Sequence, residues 1–133
     1  MLNWHYLNEL EHEIRKTWAC REDTGNRRVY VGTKKGVYFF AGDFVVEGEI
    51  VSLVKIGKAG DVSARKKQYY TGNPSSLYLI YFHKAFDAKE RGEIEKNYHY
   101  KFIEHRFRKN REWFYLKPVA LALGLDWEKM NER

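Results

Sequence analysis

The sequence predicts an α+β domain, a small and mostly antiparallel sheet of three strands flanked by helices, with an amphipathic helix added at the N-terminus. Three observations predict it. Two runs rich in Val, Ile, Tyr and Phe, 36–41 and 50–56, are separated by turn residues. Apolar positions recur every three or four residues in 4–18 and again in 94–105. Strands precede, separate and follow helices without the regular alternation of a doubly wound sheet.

Within 4–18, Trp4, Leu7, Leu10, Ile14 and Trp18 form a narrow stripe with Glu9, Glu11, Glu13, Arg15 and Lys16 between them. Such a stripe could dock on the main domain, on a protein partner or on a second copy in a homodimer; packing within its own chain is its ordinary use. The polar stretch 21–26 ends in Gly25-Asn26 and reads as a linker. The expected division is therefore 1–26, helix and linker, and 27–133, main domain. Strands 36–41 and 50–56 pair antiparallel across a long connection holding Gly42-Asp43, a minor strand at 44–46 and Glu47-Gly48-Glu49. Asp61 is a helix N-cap, and its helix carries Ala64, Arg65 and Gln68 until Thr71-Gly72-Asn73-Pro74 stops it. A further strand covers 77–83. Asp87 and Glu90 form a D-x-x-E box that opens the longest helix. Ile94, Tyr98, Phe102 and His105 line one side of it, and Glu95 and His99 lie one turn apart on the adjoining face. After a short extended piece at 111–116, Pro118 suits the first turn of a last helix running through Ala122, and Gly124 caps it.

A chain of 133 residues can bury one core but not two substantial ones. Its 24 Lys and Arg against 18 Asp and Glu leave a charge of +6, which favours polyanionic partners. Aromatic residues, at 17%, exceed what so small a core can hide, so some faces remain for stacking. The single Cys20 excludes an internal disulfide framework and fits a reducing, cytoplasmic setting. No basic-then-apolar leader stands at the N-terminus, and no apolar run nears the roughly 20 residues of a membrane span. Serine-triad, glycine-rich phosphate-loop and Cys/His zinc patterns are missing from the sequence.

Several short motifs then fall in one order: Gly36-Val37-Tyr38, Val54-Lys55-Ile56-Gly57 with Lys58, Arg65, Thr71-Gly72-Asn73-Pro74, Glu95-Lys96-Asn97-Tyr98-His99 and Arg111-Glu112-Trp113-Phe114. In this order they resemble the GIY-YIG nuclease superfamily, in particular its K-I-G branch of small phage-type and meiotically up-regulated proteins, over a core of 36–116. The resemblance implies a three-stranded antiparallel sheet flanked by helices. It also implies single-metal hydrolysis of phosphodiesters, usually of DNA, leaving 5'-phosphate and 3'-hydroxyl ends. By the same resemblance Glu95 holds Mg2+ or Mn2+, Arg65 steadies the scissile phosphate and Tyr38 takes a proton from the attacking water. Lys55 departs from the superfamily's second tyrosine and could lower the Tyr38 pKa by favouring the phenolate.

The residue chemistry agrees. A fixed guanidinium stabilises charge building on phosphoryl oxygens, and a hard cation needs only one or two carboxylates. His99 either bonds the attacking water, positions Glu95 or fills space beneath the sheet. Lys58, Lys66, Lys67, Arg106, Arg108, Lys109 and Arg111 are the candidates for tracking a nucleic-acid backbone, single- or double-stranded DNA or RNA. The alternative function is a catalytically weak nucleic-acid-binding module or adaptor of a phage or defence assembly. Taken singly, each site residue has an ordinary structural explanation; the constellation carries the argument.

Overall fold

The computed structural model describes residues 1–18, 20–22, 28–30, 34–62, 64–66, 77–108 and 112–132. The expected linker at 21–26, apart from residues 21 and 22, and the Thr71-Gly72-Asn73-Pro74 turn lie outside them.

Helix α1, Trp4–Lys16, starts where the Asn3 side chain accepts the Tyr6 N–H at 3.2 Å, and ends with Arg15 and Lys16 against the negative end of the helix dipole. Short strands β1, Cys20–Glu22, and β2, Arg28–Tyr30, pair antiparallel apart from the main sheet. The main sheet is antiparallel, with four strands where the sequence predicts three, in the order β5-β3-β4-β6. The additional strand is the short extended piece, β6, Trp113–Tyr115, which pairs with Leu53, Val54 and Lys55.

Strands β3, Gly36–Val46, and β4, Glu49–Ala59, are continuous, so the long connection expected between them does not exist. Gly42 and Asp43, expected in a turn, are paired within β3 with Leu53 and Ser52. Asp43 tolerates the position because Ser52 Oγ and the Leu2 N–H both donate to its carboxylate, at 2.6 and 2.9 Å. The hairpin closes at Glu47-Gly48, both with positive φ (52° and 82°), a two-residue turn whose twist matches the strands it joins.

Strand β5, Tyr78–Lys84, flanks β3. Helix α2, Ala88–Lys101, begins at Asp87, whose side chain accepts the Glu90 N–H at 3.2 Å. It ends before His105, which falls in a 3-10 turn, Ile103–His105. Helix α3, Leu116–Ala122, carries Pro118 in its first turn. Gly124 (φ 75°) stops it: Leu125 N–H donates to the Ala120 carbonyl and Gly124 N–H to that of Leu121. A final turn, α4, Trp127–Met130, was not expected from the sequence.

Strand alternation divides the core. Val37, Phe39, Ala41, Val54 and Ile56 join Ile94, Tyr98 and Phe102 around α2 and Val119 of α3. Tyr38, Phe40 and Ala59 point the other way, with Val62, Leu77, Leu79 and Trp18. Helix α1 crosses β5, its Leu7 in the first cluster and its Ile14 packed against the second, so its stripe lies on the chain's own sheet except at Trp4, which is exposed. Residues near the two ends also meet: Asn3 N–H donates to the Met130 carbonyl and Glu132 N–H to that of Met1, both at 2.8 Å.

Candidate active site

Strand β6 accompanies β4 only as far as Lys55, with one further bond from Ile56 N–H to the Glu112 carbonyl at 3.0 Å. Where it stops, a side chain takes over. His99 on α2 places Nε2 2.8 Å from the Ile56 carbonyl oxygen. A carbonyl can only accept, so Nε2 carries a proton and donates it to this bond. His99 also lies against Phe114, ring centroids 5.4 Å apart. The bond ties α2 to β4, one residue before Gly57.

One turn earlier on α2, Glu95 is half-buried and brought among four charged or titratable side chains. Burial pushes its carboxyl above the ordinary value of 4.5; His99, Lys58 and Arg65 favour the ionised form, and Glu112 opposes it. Lys58 Nζ also passes close to Gly92, 3.4 Å from where a Cβ would stand. Arg65, far from Glu95 in sequence, is thus within electrostatic reach of it, as are Lys58 and His99.

Tyr38 is paired with Gly57 across the β3–β4 ladder, and its ring lies over that glycine. A Cβ on Gly57 would be 2.7 Å from the ring carbon Cε2 and nearer still to the hydroxyl, so a glycine must stand opposite this tyrosine. The ring also stacks on Phe40 at 4.5 Å, and Tyr38 is only 2% exposed. Lys55, opposite Phe40, reaches Glu112 with Nζ 3.1 Å from Oε2 and lies 5.7 Å over the Trp113 ring.

Glu112 went unassigned in the sequence. Its nearness to Lys55 and Glu95 is created by the β4–β6 pairing, and its membership of the closing R-E-W-F motif was the one signal that could have singled it out. Among the described residues no group of three or more His, Cys, Asp or Glu could hold a metal ion. The donor set here, one half-buried carboxylate with a second nearby, fits a hard divalent cation that keeps most of its waters; zinc would take more His or Cys.

Four of the expected backbone-tracking residues are among the described ones: Lys58, Lys66, Arg106 and Arg108. Lys58 is exposed beside Glu95. Lys66 turns inward to Glu11 instead of outward to a phosphate surface, because a buried carboxylate attracts it. Arg106 is half-buried in a bridge with Phe114. Arg108 is exposed and bonds Glu47, beside the hairpin turn, at 2.9 Å. Lys67, Lys109 and Arg111 lie outside the described residues. A separate cleft of about 600 Å³, lined by Leu10, Ile14, Tyr81 and His83 among others, lies by β5, two strands from β4.

An antiparallel sheet flanked by helices, with opposed charges gathered beside one strand, defines a small α+β domain. Residues 36–127 match the T5orf172 domain, and the chain belongs to that family. It is a phage-type domain linked with nucleic-acid-related functions. No curated protein and no solved structure matches the chain. No helix among the described residues is long and apolar enough to cross a membrane.

Proposed function

We propose that the protein is a metal-dependent endonuclease of GIY-YIG type that hydrolyses DNA phosphodiester bonds. The observation that carries this reading is Glu95, a half-buried carboxylate beside β4 within electrostatic reach of Arg65, Lys58 and His99. Mg2+ or Mn2+, held by Glu95, would supply Lewis-acid polarisation and a more acidic bound water.

The chain's own residues do the rest. Arg65 offers a planar pair of N–H donors to the phosphoryl oxygens as negative charge builds on them. Lys58 draws the backbone towards the same place. His99, through its bond to the Ile56 carbonyl, keeps α2 and therefore Glu95 at a constant distance from β4. In this reading the proton acceptor is the Tyr38 hydroxyl, over Gly57 on the sheet face turned away from α2, with Lys55 on that same face as a cation shared with Glu112. A second reading, a nucleic-acid-binding module that cuts weakly, is favoured by one observation: the near-complete burial of Tyr38.

Supercoiled plasmid and a labelled single-stranded oligonucleotide, incubated with the protein in Mg2+, Mn2+ or EDTA, separate the two. The nuclease cuts at least one substrate with metal and neither in EDTA. Salt-sensitive binding without cutting under any condition would establish the binding module instead.

The raised carboxyl of Glu95 also sets a pH dependence. Protons and metal compete for the same oxygens, so Mn2+ affinity, followed by titration calorimetry, is expected to fall with decreasing pH starting above the range of an ordinary glutamate ligand. An affinity that held steady down to 4.5 would remove Glu95 as the ligand.

A further inference from the structure

Among the described residues Glu11 is the one buried charged side chain, 5% exposed in the middle of α1. A carboxylate taken from water must be paired and hydrogen-bonded, and Glu11 is. Lys66 Nζ donates to both of its oxygens, the Leu79 N–H donates to Oε2 at 2.9 Å, and the Arg15 guanidinium to Oε1 at 3.2 Å. Lys66, its own side chain 12% exposed, lies 5.9 Å over the Tyr78 ring. One side chain of α1 thus joins three parts of the molecule: its own helix, the start of β5, and the helical turn at residues 64–66.

That turn carries Arg65. It is held at its start by Asp61, whose side chain accepts the Ala64 N–H at 3.2 Å and whose carbonyl accepts the Arg65 N–H at 3.1 Å. Val62 and Lys66 are four residues apart and so share a helix face. Val62 packs in the cluster that contains Tyr38 and Trp18, and Lys66 meets Glu11. Two anchors on one face leave the turn no freedom to rotate about its axis, and they leave Arg65 exposed. A buried ion pair is weak evidence for net stability; its best use is to specify one geometry over others.

We propose that α1, which lies outside the family match at 36–127, is a positioning element of the site: Glu11, through Lys66, fixes the rotation of the Arg65 turn and so holds the guanidinium where a phosphate binds. The inference rests on the nuclease reading of Arg65. Glu11 and Lys66 are positioning residues, since neither touches the phosphate.

The test is a cycle of full-length variants, Glu11→Gln, Arg65→Ala and the two combined, in single-turnover cleavage with KM for DNA measured alongside. Melting curves confirm that each is folded. Relaxation of the Arg65 side-chain Nε–H, measured by NMR, reports its order independently of activity. Glu11→Gln is expected to slow cleavage about 10- to 100-fold at unchanged KM, because misplacing a group by about 1 Å costs that much. It is expected to cause no further loss once Arg65 is alanine, and to loosen the Arg65 side chain. Losses that add in the double variant, or an Arg65 as ordered as in the wild type, would overturn the proposal. Should Glu11→Gln not fold, Lys66→Gln, which leaves the Arg15 and Leu79 bonds to Glu11 in place, enters the same cycle. If the wild type does not cut, the nuclease reading falls and the relaxation measurement alone decides the positioning: equal mobility of Arg65 in both proteins would overturn it.

Discussion

Glu95→Gln is expected to slow cleavage by at least about 10²–10³-fold, the loss that follows removal of one preorganised electrostatic group from a reacting centre. The same change should leave the metal-free protein at least as stable at pH 7. Burial holds the Glu95 carboxyl above its ordinary value, so the folded protein binds that proton more tightly than the unfolded chain does. The contribution of this group to stability is therefore fully present below the ordinary value and is lost as pH rises through the raised one. At pH 7 the ionised carboxylate is a burden that an amide of the same shape lacks. Cleavage rates and thermal melts of the same preparations check both halves. A variant that melted several degrees lower would make Glu95 a structural residue and remove the main support for the site; one that still cut at the wild-type rate would do so directly.

Gly57→Val should be among the most disruptive single changes in the sheet. Even a bare Cβ would stand 2.7 Å from Tyr38 Cε2, and the ring has little room to retreat, being stacked on Phe40 and almost wholly buried. Extra volume forced into a packed core costs about 1–3 kcal/mol, and a β-branched side chain against an aromatic ring belongs at the upper end. Urea unfolding of the variant should show it as a lower midpoint. Gly57→Ala, the milder version, should be partly relieved by Tyr38→Ala in the same chain, since the second change removes the atoms that clash. Equal midpoints for wild type and Gly57→Ala would mean that the ring does not lie over the glycine.

What could be read beforehand divides along physical lines. Local signals served well: Asp87 caps α2, Gly124 stops α3, and the spacing of Glu95 and His99 places them one turn apart. Gly42-Asp43 misled because turn propensity is a local preference, and here a distant serine and the N–H of Leu2 satisfy the aspartate inside a strand. The fourth strand was legible as an extended piece but not as a partner for β4, since three residues carry too little pattern to announce a neighbour. Glu11 read as one of several solvated acids on a polar helix face. Its burial arises only when β5 and Lys66 close over it, which no helical periodicity encodes. In the candidate site the motif order placed Arg65, Glu95 and His99 in the same neighbourhood; it did not reveal Glu112, whose approach to Lys55 is produced by sheet pairing.

The bonds between residues 1–3 and 130–132 set how this domain could be handled as a unit. Its first and last described residues lie side by side, so the domain could be spliced into a surface loop of an unrelated protein without prising the host's strands apart. The same adjacency allows the two ends to be joined by a short bridge and new ends to be opened at Glu47-Gly48, an exposed two-residue turn distant from Glu95. Such a permuted chain would keep every strand pairing of the sheet while reversing the order in which its halves are synthesised.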